Sequence, residues 1–314
     1  MKAKLFLLLA LSMKRMLRAA SFGFAVLIIL FSICPCPADT IYVSTGNLNT
    51  IDKIDSGGHA TVFATAGAGL SSPWGLAFDA AGILYVANGL SSTIEEFNST
   101  GTGLVFANAA SGLNGPIGLA FDNSGNLFAA NSANNTIEKF GPNGTGSVFA
   151  TAASGLDSPE GVAFDGNGNL YVGNYNNTIL KFGTNGQASV FATSGVNNPG
   201  GLAFDSSGNL YVANGGNSTI EKFTVSGQAS TFTSTNLVSL PIDLAFDSSG
   251  DLFVANHGAG NILKFNTDGV GSVFASGLGY VVGIAIEEIP EPSSLLLTIL
   301  GVLMLWAIRK RRAS

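Results

Sequence analysis

Between residues 39 and 289 the chain has no cysteine and no arginine, and its only two histidines are His59 and His257. Without cysteine, that segment can form no disulfide, thiolate nucleophile or cysteine-ligated metal site, so its stability must come from packing. Without arginine, and with 19 Asp and Glu against five Lys, it offers no electrostatic footprint for a phosphate backbone, which excludes nucleic acid as a partner. Charge is scarce throughout, at 11% of the 314 residues against 46% hydrophobic, the reverse of a disordered composition. The 41 glycines follow no three-residue period, which excludes a collagen-like chain.

The net charge of −6 divides into three unlike regions: +5 over residues 1–38, −14 over 39–289 and +3 over 290–314. The first region has basic Lys14, Arg15 and Arg18, an apolar stretch over 22–33, and Cys36-Pro37-Ala38 before a polar chain. This is the pattern of a signal peptide cleaved after Ala38, with an uncleaved anchor as the alternative and translation starting at Met1, Met13 or Met16. Both cysteines, Cys34 and Cys36, fall inside it. The last region runs Pro290-Glu291-Pro292, an apolar stretch over 295–308, then Arg309-Lys310-Arg311-Arg312. As a helix, residues 293–308 would span roughly 24 Å, a short membrane anchor whose basic end should stay cytoplasmic.

These three C-terminal parts, in this order, resemble the PEP-CTERM sorting signal of Gram-negative bacteria. The resemblance implies processing by signal peptidase and a membrane exosortase, transient anchoring by the C-terminal helix, and delivery to the cell surface or an exopolysaccharide matrix. A plain tail anchor is the alternative.

Between the two ends the chain repeats itself. Gly75-Leu76-Ala77-Phe78-Asp79 recurs with its last residue at Asp122, Asp165, Asp205, Asp247 and, in degenerate form, Glu287, at spacings of 43, 43, 40, 42 and 40. That is the length of a four-stranded propeller blade. Each unit contains four short β-like runs. The first ends in an Asp-led turn, and the second carries an aromatic residue (Tyr42, Tyr85, Phe128, Tyr171, Tyr211, Phe253). The third pairs Ile with a large apolar residue three places on, and the fourth centres on a phenylalanine. The first two runs are apolar at both parities, as strands covered on both faces must be. The repeat begins at Ile41-Tyr42-Val43, a second-strand sequence with no first strand before it, and ends on an unpartnered first strand at 283–287. The two fragments complete one another, which predicts an all-β, six-bladed propeller over 39–289. Its last blade joins one C-terminal strand to three N-terminal strands, and hydrophobic helices flank the ring in the signal peptide (1–38) and the sorting segment (290–314).

The run Pro-x-Gly-Leu-Ala-Phe-Asp, then Gly-Asn-Leu-Tyr-Val-Ala-Asn, then Thr-Ile-Glu-Lys-Phe resembles the NHL-type propeller repeat of streptogramin-lyase-like and gluconolactonase-like proteins. Such a fold hosts hydrolases, lyases and binding modules alike, so the resemblance leaves the chemistry open.

Residues present in every copy read as structural: the Asp ending each first strand and the Asn ending each second strand. The lysines Lys53, Lys139, Lys181, Lys222 and Lys264 share one slot in the third run, where Glu96 also stands, and Glu138/Lys139 and Glu221/Lys222 read as stabilising pairs. Candidate ligand-binding positions are those that break the symmetry at the channel mouth: Trp74, Ile117, Glu160 and Ile242, with Asp243, Tyr175, His257 and Tyr280 beside them. The mouth is largely apolar, with Trp74, Ile117, Ile242, Val282 and nearby Tyr280, and such a surface suits binding better than metal chemistry, while loops rich in Asn, Ser, Thr and Gly are compatible with carbohydrate. The expectation is an exported, non-catalytic surface or matrix module with no cofactor, bound to exopolysaccharide or another surface protein. The alternative is a lactonase or lyase using Glu160, Asp243 and His257 with a divalent metal at the mouth, as the family resemblance would require.

Overall fold

The computed structural model describes residues 39–233 and 236–287. The segments expected to form a signal peptide with Cys34 and Cys36, flanking helices, and a sorting motif with Arg309, Lys310, Arg311 and Arg312 lie outside the described residues.

The described chain forms six four-stranded antiparallel sheets. The first complete blade contains β4 (Pro73–Phe78), β5 (Leu84–Asn88), β6 (Thr93–Phe97) and β7 (Gly103–Ala107), paired in that order from the axis outward. The second comprises β8 (Pro116–Phe121), β9 (Leu127–Asn131), β10 (Thr136–Phe140) and β11 (Gly146–Ala150). The third comprises β12 (Pro159–Phe164), β13 (Leu170–Asn174), β14 (Thr178–Phe182) and β15 (Ala188–Ala192). The fourth has β16 (Pro199–Phe204), β17 (Leu210–Asn214), β18 (Thr219–Phe223) and β19 (Ala229–Thr233). The fifth has β20 (Pro241–Phe246), β21 (Leu252–Asn256), β22 (Asn261–Phe265) and β23 (Gly271–Ser276). The closing blade pairs β24 (Val281–Glu287) with β1 (Thr40–Thr45), β2 (Thr50–Ile54) and β3 (Ala60–Ala64). Inner strands meet their neighbours all the way round, including β24 against β4 and β20 against β24, so the ring is closed.

The core lies between blades, in six clusters each built from two adjacent sheets. Second strands such as Leu84–Asn88 are buried along their whole length, as runs apolar at both parities require. Their aromatics fasten each blade to the next. Tyr85 meets Phe106 of its own blade edge-on at 4.9 Å and Phe121 of the next blade at 5.1 Å, and Phe106 in turn reaches Phe140 at 6.1 Å. Such T-shaped pairs add about 0.5–1.5 kcal/mol each beyond the burial itself. The third-strand phenylalanines Phe97, Phe140, Phe182, Phe223 and Phe265 are fully buried.

Closure is held by more than the ladder. The Tyr42 hydroxyl donates to the Glu287 carboxylate at 3.0 Å, and Ser44 accepts from the Gly283 N–H at 2.8 Å while donating to the Trp74 carbonyl. Burial, together with Glu287, moves the Tyr42 phenol well above its ordinary range.

Candidate functional site

Each inner strand pairs on one edge only, which leaves its other edge of main-chain polar groups facing the axis. There they border a cavity of about 100 Å³ lined by Gly75, Leu76, Gly118, Leu119, Gly161, Val162, Gly201, Leu202, Asp243, Leu244 and Ile284. The glycines are steric necessities. A Cβ at Gly75 would collide with the carbonyl oxygen of Ile117, at Gly118 with that of Glu160, at Gly161 with that of Gly200, and at Gly283 with that of Trp74. The inner strands touch here backbone to backbone.

Asp243 occupies this glycine position in the fifth blade. In the first four complete blades the inner ladder skips from the proline to the residue after the glycine, as in Pro73↔Asn88 then Leu76↔Val86. In the fifth, Asp243 itself pairs with Ala255. The altered register accommodates a side chain where its counterparts have none. The carboxylate accepts from the Leu244 N–H at 2.9 Å and from the Ile284 N–H of the closing blade at 3.0 Å. Burial pushes its pKa up to about 7, against the lowering effect of those two N–H groups. Of the sequence-derived candidates, only Asp243 borders the axial cavity.

The other mouth residues sit at the upper end of the inner strands. Trp74, Ile117, Glu160 and Ile242 are half-buried. Burial alone raises the Glu160 pKa to about 7, and its carboxylate makes no hydrogen bond to another described residue. Around them the loops between second and third strands are latched to the next blade. Asn49 accepts the Ser72 N–H, Ser92 that of Gly115, Asn135 that of Ser158, Asn177 that of Asn198, and Ser218 that of Leu240. The fifth blade has Gly260 in this place, and His257 makes the link instead, its Nδ1 lying 3.0 Å from the Val281 carbonyl oxygen. A carbonyl only accepts, so Nδ1 carries the proton and Nε2 is the acceptor of the neutral ring.

His257 lies 5.1 Å from Tyr280, ring to ring, at 34°. Tyr280 is 55% exposed, Tyr175 61%, Leu48 57% and Leu90 81%. Leu48 sits beside Gly279 and Trp74 beside Gly89, so His257, Tyr280, Leu48, Trp74 and Leu90 follow one another across three adjacent blades. Tyr175 stands apart, in the third complete blade. The structure thus groups His257 with Tyr280 and places Glu160 and Asp243 on inner strands of different blades, separated by β16.

The repeated residues serve the chain itself. Asn131 accepts from the Asn114 N–H at 3.1 Å and donates to the Gly112 carbonyl and the Thr136 hydroxyl; Asn88, Asn174 and Asn214 repeat the pattern, and Asn256 does so with the Asn261 side-chain oxygen in place of the threonine hydroxyl. On the lower face Asp165 caps its turn through the Asn167 and Asn169 N–H groups. Lys181 lies 3.7 Å from that carboxylate and 5.0 Å above the Tyr171 ring, an arrangement repeated at Lys139, Lys222 and Lys264. The expected Glu138/Lys139 and Glu221/Lys222 pairs do not form. Successive strand residues point to opposite faces, so each lysine reaches an aspartate while Glu138 and Glu221 are buried between blades, with burial raising both carboxyls.

The NHL repeat family matches residues 196–223, and no curated protein matches the sequence. Several solved structures are similar in fold. A chain of a nidogen/laminin complex superposes with a TM-score of 0.70 at 21% identity, covering 80% of this chain and 98% of that one. Virginiamycin B lyase from Staphylococcus aureus gives a TM-score of 0.60 at 14% identity over 77% of this chain and 85% of that one. A gluconolactonase from Xanthomonas campestris gives 0.60 at 21% identity over 69% and 79%. At these identities the likeness is one of fold: a six-bladed propeller carrying an NHL repeat.

Proposed function

We propose that the chain is an exported binding module of the cell surface or extracellular matrix whose upper face holds a polysaccharide. One observation carries this reading: an arc of the exposed Tyr280, Leu48 and Leu90 with the half-buried Trp74, His257 standing behind Tyr280, beside loops rich in Asn, Ser and Gly. Aromatic faces take the C–H faces of sugar rings, and the surrounding amides and hydroxyls suit their hydroxyl groups. The terminal segments support delivery of such a module. The leader is removed by signal peptidase, and the Pro290-Glu291-Pro292 signal with its basic tail addresses the chain to an exosortase of a Gram-negative envelope.

The enzymatic reading draws on the fold shared with a lyase and a gluconolactonase, and on His257, whose Nε2 is left as an acceptor. A divalent metal does not fit the residues offered for it. Both Asp243 oxygens are engaged by main-chain N–H groups, and Glu160 stands on another blade. Among the described residues no three His, Cys, Asp or Glu side chains converge on one point.

An immobilised-polysaccharide array probed with residues 39–289 tests the proposal. Binding that Tyr280→Ala reduces about tenfold or more, with less than ~0.5 kcal/mol change in stability, is expected. Capture of a protein partner with no polysaccharide bound would overturn the ligand class. Stoichiometric bound metal lost on Glu160→Gln would replace the proposal with the enzymatic reading.

A further inference from the structure

The lower face carries its own departure from symmetry. The turns between first and second strands read Asp79-Ala80-Ala81-Gly82, Asp122-Asn123-Ser124-Gly125 and Asp165-Gly166-Asn167-Gly168 in the first three complete blades. In the fourth and fifth they read Asp205-Ser206-Ser207-Gly208 and Asp247-Ser248-Ser249-Gly250. These two serine pairs flank a single cleft of about 330 Å³ between those blades, whose lining also includes Tyr211, Lys222, Phe232, Phe246, Asn266 and Thr267. That volume is at the lower end of the range for small-molecule pockets.

The lining sorts into three kinds of group. Phe232, Phe246 and Leu252 supply an apolar side, with both phenylalanine rings fixed edge-on against Tyr211 at 5.1 and 5.0 Å. The charged side chains are already engaged: Lys222 lies 3.6 Å from Asp205, Lys264 bridges Asp247 at 3.7 Å and Asp251 at 2.8 Å, and the Asp39 carboxylate accepts from the Ser248 N–H at 2.8 Å. The hydroxyls are free. None of the Ser206, Ser207, Ser248 and Ser249 side chains, nor that of Thr267, is hydrogen-bonded to another described residue, although the Ser207 and Ser249 N–H groups are fixed by Asp205 and Asp247. The Asn266 side chain holds two N–H groups through its oxygen, at Asp268 and Val270, which leaves its NH₂ for a ligand.

We infer that this cleft is a second, lower-face binding site for a neutral pyranose, one sugar ring held between the two Ser-Ser turns. A sugar presents an apolar face to Phe232 and Phe246 and a rim of hydroxyls to five side-chain hydroxyls and one amide. An anionic ligand would meet the carboxylates of Asp205 and Asp247, and a cationic one would have to compete with the lysines already bound to them. Each hydroxyl can donate or accept, which matches a ligand whose own hydroxyls do both. The site does not depend on the upper-face reading, since no residue is shared between them.

Saturation-transfer NMR with the methyl glycosides of glucose, galactose and mannose, and with glucuronate and glucosamine for comparison, tests the assignment. Transfer to a neutral glycoside is expected, reduced about tenfold by Ser249→Phe, which fills the cleft from an exposed turn. The double variant Ser207→Ala/Ser249→Ala gives a milder loss and guards against a folding defect. Tyr280→Ala is expected to leave this signal unchanged. Transfer that survives Ser249→Phe but vanishes in Tyr280→Ala would overturn the lower site while leaving the upper one standing. Absence of transfer with every neutral glycoside, or stronger transfer to glucuronate or glucosamine, would overturn it as well.

Discussion

The upper and lower faces of the ring are cut from one repeat, yet they use it in opposite ways. Below, an aspartate caps its turn and a lysine bridges it to an aromatic ring, four times over in nearly the same geometry. Above, the latches between blades also repeat, but the loop residues between second and third strands differ from blade to blade: Leu48, Leu90, Ala133, Tyr175, Gly216 and His257. Where a repeated side chain is bonded back to its own chain, it builds the ring. Where side chains differ and, His257 apart, bond no other residue, the ring presents a surface. The cleft between the two Ser-Ser turns is the place where the lower face behaves like the upper one.

The sharpest way to break this comparison is to remove something both faces depend on. Phe140 is fully buried between blades, and Phe140→Ala should cost about 3–5 kcal/mol in chemical denaturation, disordering both faces together. A loss confined to one face, read by hydrogen exchange, would show that the faces are not supported by a common core.

The next effect separates the faces by pH. The Glu160 pKa, raised to about 7 from 4.5, means that this group's contribution is fully present below pH 4.5 and is lost as pH rises through 7. Glu160→Gln should therefore gain up to about 3 kcal/mol over the wild type at pH 8 and nothing at pH 4. Asp165 has the opposite sign. Although burial raises its pKa, Asn169, Asn167 and Lys181 together hold it below the ordinary value. Its contribution is present at neutral pH and fades as pH falls through that lowered pKa, so Asp165→Asn should lose stability at neutral pH and little in strong acid. Identical slopes for the two variants would erase the contrast.

The smallest pair of effects compares repeated residues. Asn131→Ala strands the Asn114 N–H and the Gly112 carbonyl, at about 1–3 kcal/mol. Lys181→Met removes a partly solvated ion pair and a ring contact, at no more than about 1 kcal/mol. Thermal unfolding of both variants ranks them, and a costlier Lys181→Met would mean that the lower columns carry more of the ring than the upper clamps.

Much of this architecture was legible in the sequence. Period, strand count and closure followed from residues 75–287 and from the unpaired second strand at Ile41-Tyr42-Val43, because each blade is a local unit whose signals repeat. Read only against the mouth residues Trp74, Ile117, Glu160 and Ile242, Asp243 is a neighbour with no counterpart. Aligning it with Gly75, Gly118, Gly161, Gly201 and Gly283 marks the ring position where inner backbones touch. The lysine partners were likewise within reach, since Glu138 and Lys139 must face opposite ways on a strand. The role of His257 was not legible, because it compensates for a side chain missing at Gly260, which only the latches in the other blades reveal. Nor was the lower cleft, whose two walls lie 42 residues apart in the chain, at Asp205 and Asp247, and come together only through blade packing.

The pairing of Thr40 with Glu287 has a consequence for how the fold can be rewired. Cross-strand partners in an antiparallel ladder sit only about 5 Å apart, so the two ends of the propeller are neighbours and the chain is in effect a loop with one cut in it. A short linker from Glu287 to Thr40, with a new opening in an exposed turn such as that at Asn185-Gly186, should return the same ring with a different blade sewn shut. The starting blade would then be incidental, and the order of blades around the axis the property that the sequence encodes.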